Sequence, residues 1–345
     1  MPNPFFGRQR LQGIALLVYE NNDLMGKSQP TVSVVMATYN GEKYIREQID
    51  SILNQSYPIC ELIIQDDCST DSTASICREY ESRFPHIHFF VNDHNLGFNE
   101  NFRTAVMRAT GDLVAISDQD DVWFPQKIER QVAAIGDYDI CTSLVCRGTT
   151  TEDMTPDPYS DDIRVKTHVF RDILGHTILA KRAFLQCESN WRGTFIYDWS
   201  LTLHADWGNG MTKVNEPLVF HRSHEKSYTV IAQESRAHGK SLTAAYIHGL
   251  GCLRRMQRMP KFISHCRFIQ ENTADSSDDD IRVQHRFAEL LMSRSLAGLL
   301  RLCILCMRNR NDIYNPPRKA QGLMGAFHGF FFPLYYAYYC YMVFE

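Results

Sequence analysis

The sequence has no Gly-x-Gly-x-x-Gly fingerprint after its first strand-like run and no Gly-x-x-x-x-Gly-Lys-Ser/Thr in any of its 345 residues. Phosphate is therefore not expected on a glycine loop, which disfavours a nicotinamide-dependent dehydrogenase or a P-loop ATPase. Cysteines at metal-ligating spacing are scarce as well. Eleven cysteines, odd in number and scattered, read as reduced thiols in a cytoplasmic compartment. Cys303 and Cys306 lie in an apolar helical stretch with no second ligand pair nearby, so they read as core. The N-terminal apolar run Leu11–Val18, behind Arg8 and Arg10, is too short to span a bilayer and has no clear cleavage site. Organised sequence begins near Thr31, with Met25 just before it. Residues 1–30 read as a disordered arm, and the true start, Met1 or Met25, stays open.

Charge is present but unevenly spread. Residues 1–235 carry 21 Lys and Arg against 32 Asp and Glu, whereas 236–345 carry 15 against 8. An acidic body suits a cation, a basic tail suits an anionic lipid surface or a subunit, and the net charge of −4 gives no reason to expect a nucleic-acid partner. The densest acidic feature is Ser117–Trp123, where Asp118, Asp120 and Asp121 follow the apolar run Leu113–Ile116. Clustered carboxylates at a strand end are costly unless a cation sits among them, and hard Mg/Mn-type cations take such oxygens while leaving room for phosphate. A solvated acidic turn is the competing explanation.

The pattern of apolar residues gives the order of elements. Val32–Met36, Glu61–Gln65, His86–Val91 and the run before Asp118 read as strands; 42–54, 72–83 and a segment reaching Ala109 read as helices. Such alternation predicts a parallel sheet covered by helices. A second acidic cluster, Asp66-Asp67-Cys68-Ser69-Thr70-Asp71, also ends a strand, and ligands of open α/β sheets bind at those carboxyl ends. Further on, Gly148–Thr167 reads as a flexible loop, Gln233–Lys240 as a polar linker, Ser276–Asp280 as a solvated acidic turn and Phe287–Cys306 as one packed helix. Leu323–Phe344 is apolar and rich in Tyr, and basic residues, Arg318 and Lys319 among them, precede it. It reads as an interfacial membrane element, with a docked helix or dimer contact as the alternative.

Several ordered motifs now carry a resemblance: Val-Ser-Val-Val-Met-Ala-Thr-Tyr-Asn-Gly (32–41), Glu-Leu-Ile-Ile-Gln-Asp-Asp-Cys-Ser-Thr-Asp (61–71), Asn-Leu-Gly-Phe-Asn-Glu-Asn-Phe (95–102) and Gly-Asp-Leu-Val-Ala-Ile-Ser-Asp-Gln-Asp-Asp-Val-Trp (111–123). Together they resemble the amino-terminal half of family 2 inverting glycosyltransferases of GT-A fold. The Asp-Gln-Asp-Asp-Val-Trp form is similar to the rhamnosyltransferase-like subgroup of bacterial surface polysaccharide enzymes, a likeness that continues at Gly175–Leu179, Tyr197–Leu201 and Leu218–His224. The fold class implied is α/β, a Rossmann-like mixed and mainly parallel sheet flanked by helices, with a glycosyltransferase domain over 31–232 and a helical C-terminal extension over 233–345.

The resemblance also implies roles. Thr38, Tyr39, Asp67, Asn99, Asn101, Arg103 and Asp118 would bind the donor nucleotide; Asp118, Asp120 and His224 would hold Mn2+ or Mg2+. Asp121 would support that site or cap a helix at Phe124. Asp198 is the candidate base, with a structural helix cap near Trp199 as the alternative, and His176, Thr177, Trp199 and Arg222 would border the diphosphate or the acceptor. Where the family pattern has His before the base this chain has Tyr197, and His221 and Ser227 stand where it has Tyr and Asn. The expected partners are a nucleotide-sugar donor, a glycan or lipid-linked acceptor and, through the C-terminus, the inner face of the plasma membrane. Two other classes compete: a non-catalytic nucleotide-sugar-binding scaffold of the same fold, and a nucleotidyltransferase, which lacks its expected glycine- and arginine-rich phosphate loop here.

Overall fold

A computed structural model describes residues 29–158, 160, 162–192, 196–224, 242–314 and 321–345. Most of the expected N-terminal arm, the 233–240 linker, Ser227, Arg318 and Lys319 lie outside the described residues. Residues Thr31–Glu345 make one compact unit. Its first half alternates as the apolar pattern requires: β1 (Val32–Thr38), α1 (Ile45–Leu53), β2 (Glu61–Asp66), α2 (Thr73–Arg83), β3 (Ile87–Val91), α3 (Phe98–Arg108) and β4 (Leu113–Ser117). β1 pairs in parallel with both β2 and β4, and β2 with β3. These central strands are apolar on both faces because helices cover both, which is what a parallel sheet demands.

Register decides where the site falls. Thr38 lies opposite Asp66 and Met36 opposite Ser117, so β1, β2 and β4 end on one edge and deliver Asp67 and Asp118 side by side. α1 begins at Ile45 rather than Glu42, because Gly41–Tyr44 closes a turn first, Tyr44 N–H donating to Gly41 O at 3.0 Å. It buries Ile45, Gln48, Ile49 and Ile52 against the sheet, and Gln48 donates to Ser117 Oγ at 2.7 Å.

The sheet then turns mixed. β8 (Leu179–Lys181) runs antiparallel to β4 and to β6 (Ile140–Gly148), which pairs in parallel with β9 (Met211–Arg222); β9 in turn holds the short β5 (Val122–Trp123) antiparallel. α4 is Lys127–Ile135 and α5 is Tyr197–Trp207. Two expectations change at this point. No helix is capped at Phe124, since Asp121 is drawn inward and the helix opens three residues later, and α5 starts at Tyr197, which puts Asp198 in its first turn rather than at its cap.

Gly148–Thr167 is not an open loop. β7 (Thr155–Asp157) pairs with β6, Pro156 being tolerated on this edge strand, and a turn of 3-10 helix at Val165–Val169 buries Thr167 and His168. His168 donates into Asp206 of α5 at 2.8 Å, and Lys166 reaches Asp312 at 2.9 Å. The C-terminal helices are α6 (Leu242–Met256), α7 (Pro260–Thr273), α8 (Asp279–Met292), α9 (Leu296–Arg308), α10 (Gly322–Phe330) and α11 (Phe332–Cys340). Asp278 caps α8 by accepting from the N–H groups of Asp280 and Ile281. The single helix expected over Phe287–Cys306 is therefore two, broken at Ser293–Ser295, where Ser295 caps α9. Leu323–Phe344 is likewise split at Phe331, with Pro333 in the first turn of α11. Among the described residues no helix is long and apolar enough to cross a membrane. Phe170, Trp199 and Leu203 join Phe262, Phe287, Phe332 and Phe344 in one apolar cluster, which fastens these helices to α5.

Candidate active site

At the strand ends lies a cavity of about 740 Å³. Its walls include Thr38, Tyr39, Asp67, Asn101, Asp118, Asp120, His176, Asp198 and Trp199. Nine of the expected site residues are thus brought to one space. Asn99, Arg103, Thr177, Arg222 and His224 do not line it.

The five residues off the wall have partners that explain their places. Asn99 accepts from Tyr197 N–H at 2.9 Å and so ties α3 to the start of α5. Arg103 pairs with Glu100 on the same exposed helix face. Thr177 shares a 2.6 Å hydrogen bond with Thr142 beneath the sheet edge. Arg222 donates to the Asp120 carbonyl at 3.0 Å and to Glu47 at 2.6 Å, bracing the acidic loop from behind. His224 meets Asp120 Oδ2 at 2.6 Å.

On the β1 and β2 side the carboxylates are already engaged. Asp67 accepts from Leu96 and Gly97 N–H at 2.7 and 2.8 Å and from Asn92, which fixes the Asn95–Gly97 turn. Gly97 has a φ of +78°, a backbone that only glycine adopts freely. Asn101 is buried and donates to Gln65 O at 3.0 Å, so it holds the end of β2 under the cavity floor. Thr38 donates to Asp66 at 2.9 Å. Tyr39 is half exposed at the rim.

The acidic loop and three histidines interlock. His176 Nδ1 stands 3.3 Å from Asp118 and 3.6 Å from Asp121, and His221 Nδ1 stands 3.1 Å from Asp121. The two imidazoles stack at 4.6 Å. Burial alone would raise the Asp121 carboxyl, but the charges of His176 and His221 more than reverse this and bring it down to about 2. Asp120 goes the other way: burial raises it, His224 partly offsets that, and the charges of Asp121 and Asp118 push it further up.

This donor set fits a divalent cation. Three carboxylates crowd one loop, Asp120 is held above its ordinary range, and the buried Oδ2 of Asp121 has no hydrogen-bond partner among the described residues. Asp118, Asp120 and His224 are one candidate set of O and N ligands; Asp121, His176 and His221, whose ligand atoms lie within 4.8 Å of one another, are a second beside it.

Asp198, also on the cavity wall, sits at the start of α5 with Trp199 N–H donating to its Oδ1 at 3.0 Å. Burial raises its carboxyl well above the ordinary range, and the charge and hydrogen bond of Asp172 raise it further. Trp199 donates its indole N–H to His168 O at 2.6 Å. The Tyr197 ring is sandwiched with Phe102 and Trp191, and its hydroxyl is pushed up by burial.

Residues 33–194 match the family described as Glycosyl transferase family 2. Over these residues, just under half of the chain, it is similar to family 2 glycosyltransferases. Among curated relatives, it is 37% identical over 128 residues to a protein named as the teichuronic acid biosynthesis glycosyltransferase TuaG of Bacillus subtilis (strain 168), covering 37% of this chain and 51% of that one. It is also 37% identical over 102 residues to the dTDP-rhamnosyl transferase RfbG of Shigella flexneri, covering 28% of this chain and 35% of that one. This chain thus spans about half or less of these two relatives. The fold of TarS residues 1–349 from S. aureus, solved with UDP-GlcNAc, overlays with a TM-score of 0.55 at 16% identity, over 91% of this chain and 92% of that one. The architecture is therefore GT-A: a mixed, curled sheet flanked by helices, with a helical C-terminal region.

Sequence reasoning missed parts of this site. Asp172, Gln119 and the C-terminal residues Cys340, Val343 and Phe344 all line the cavity. Gln119 was visible inside the acidic motif. Asp172 carried no local signal, because its partner Asp198 is 26 residues away and on another element.

Proposed function

We propose that this chain is an inverting glycosyltransferase that moves a sugar, rhamnose being our candidate, from a nucleoside-diphosphate donor to a glycan or lipid-linked acceptor in surface polysaccharide synthesis. One observation carries the reading: Asp198, a half-buried carboxyl raised above its ordinary range, stands on the wall of the same cavity as Asp118 and Asp120. The rhamnose assignment is supported by the relative named for dTDP-rhamnosyl transfer, and the polysaccharide role by that named for teichuronic acid synthesis.

Asp118, Asp120 and His224 would hold Mn2+ or Mg2+. A bound dication supplies charge stabilisation for a departing diphosphate. Tyr39, Asp67 and Asn101 shape the end that takes the base, with Thr38 beneath it. Asp198 accepts the proton of the acceptor hydroxyl, for which its half-buried place between the buried Tyr197 and Trp199 is suited. Trp199, Phe344 and Val343 give the acceptor side an apolar wall that limits water.

We also place the enzyme on the inner face of the plasma membrane, with α9 and α10 against anionic lipid. Leu323, Leu296 and Met324 are 92%, 77% and 65% exposed. Neither helix carries an acidic residue, and Arg301 and Arg308 lie on α9.

The test is release of nucleoside diphosphate from a panel of nucleotide sugars, with the product anomer read by NMR. Turnover with inversion, reduced about 100-fold or more in Asp198→Asn, is expected. Donor binding without any turnover that depends on Asp198 would favour the non-catalytic scaffold.

A further inference from the structure

Tyr44 closes the turn that opens α1, and it lies off the cavity wall. Its half-buried ring packs against two side chains from the end of β9 and just past it. The His224 imidazole lies at 5.0 Å between ring centroids and 35° between planes, and the Arg222 guanidinium lies 4.8 Å from the Tyr44 ring centroid. Both of those side chains grip Asp120: His224 Nε2 meets its carboxylate at 2.6 Å, and Arg222 donates Nε–H to its carbonyl at 3.0 Å. Tyr44 therefore touches the two groups that set one carboxylate of the acidic loop.

A single hydrogen bond fixes where an imidazole nitrogen sits but leaves the ring free to turn about that bond. Among the described residues the His224 side chain hydrogen-bonds Asp120 alone. The lone pair of a ligating nitrogen lies in the plane of its ring, so a second contact must set that plane before the nitrogen is a well-aimed ligand. The Tyr44 ring is such a contact. The seat of Tyr44 is fixed as well. Its N–H donates to Gly41 O at 3.0 Å, and Gly41 N–H donates to Thr73 Oγ1 at 2.8 Å, which ties the turn to α2. Lys43 places its ammonium 4.8 Å from the ring centroid. One turn on, Glu47 pairs with Arg222 at 2.6 Å, and Gln48 donates to Ser117 Oγ at 2.7 Å, next to Asp118. The first turn of α1 is thus tied to β9 and to the start of the acidic loop at once.

We infer that Tyr44 is a positioning residue of the metal site: its ring sets the plane of the His224 imidazole and keeps Nε2 turned to Asp120 as a nitrogen ligand for a divalent cation. The inference rests on the reading of Asp118, Asp120 and His224 as the ligands of that cation. The contacts of Tyr44 with His224 and Arg222 are those of its ring, so phenylalanine can replace it and an aliphatic side chain cannot. Because Tyr44 is off the cavity wall, its effect on a donor passes through the cation and not through a contact of its own.

The experiment is electron paramagnetic resonance of Mn2+, titrated alone into the full chain, with electron spin echo spectra to detect imidazole nitrogen bound to the ion. Wild type should bind Mn2+ with nitrogen coupling, His224→Ala should lose the coupling, and Tyr44→Phe should match wild type. Tyr44→Leu should weaken Mn2+ binding about 10-fold or more and lose most of the coupling. In the His224→Ala background, Tyr44→Leu should weaken binding no further. Wild-type affinity and coupling in Tyr44→Leu would overturn the inference while leaving the cation site standing. A full further loss on top of His224→Ala would do the same, since Tyr44 would then act without His224, and so would Tyr44→Phe behaving as Tyr44→Leu. Wild type that binds no Mn2+, or binds it without nitrogen coupling, or coupling that persists in His224→Ala, would remove the assigned ligands and the inference with them. Turnover is not read at any step, so the glycosyl-transfer reading is tested separately.

Discussion

Gln119 grips Tyr39 twice: its Oε1 accepts from Tyr39 N–H at 2.9 Å and its Nε2 donates to Tyr39 O at 3.0 Å. The clamp joins the end of β1 to the acidic loop, so the base end and the diphosphate end of the cavity move as one. Gly41 leaves the space it needs, since a Cβ there would lie 2.2 Å from Gln119 Oε1. Gly41→Ala should displace Gln119 and weaken nucleotide binding about 10-fold, roughly the worth of two hydrogen bonds. Calorimetry checks this against Gln119→Ala. The double variant should bind no worse than Gln119→Ala alone, because the clash is then gone.

Phe344 is buried among Trp199, at 5.8 Å between ring centroids, and Phe262, at 5.1 Å, while also facing the cavity. Phe344→Ala should cost about 3–5 kcal/mol in urea unfolding. On the proposed reading, in which Phe344 borders the acceptor, it should also raise the acceptor KM while leaving donor Kd alone.

Lys127 is wholly buried, with its ammonium 4.0 Å over the Trp123 ring and 2.8 Å from Gln131 Oε1. Burial pulls its pKa down to about 7. From there to the unfolded value of about 10.4, the unfolded chain binds a proton that the folded chain has lost. Stability contributed through this group therefore rises with pH across that window, by up to about 1.4 kcal/mol per pH unit. Lys127→Met should flatten the dependence in urea unfolding measured at about pH 7, 8 and 9.

Exposed Leu323 and Met324 on α10 stand beside the arginine-bearing α9. Wild type should sediment with vesicles containing phosphatidylglycerol and less with neutral ones. Leu323→Glu with Met324→Glu should abolish this while leaving nucleotide binding intact. Vesicle binding that ignores the double substitution, or a dimer buried through this face, would contradict the membrane assignment.

Much of the first half was legible because its signals are local. The β-branched run at 32–36 and the helical spacing of Ile45, Ile49 and Ile52 each need only neighbouring residues. Two strands leading to Asp67 and Asp118 pointed to the edge where the cavity lies once parallel pairing was inferred. What stayed hidden depends on distant contacts. The place of Asp121 rests on His176 and His221, 55 and 100 residues away, and nothing local marks Asp172 as a partner of Asp198. The C-terminal break at Ser293–Ser295 was missed because the apolar residues on either side of it read as one helix. The short β7 was missed because Pro156 reads as a loop residue.

The central claim, a cation-assisted nucleoside-diphosphate site at the acidic loop, is tested most directly by calorimetry. Nucleoside diphosphates and their sugars would be titrated with and without Mn2+ into wild type and Asp120→Asn. The account predicts binding of one nucleotide that needs the metal and is lost in Asp120→Asn. Binding indifferent to both the metal and Asp120, or no binding across the panel, would contradict it.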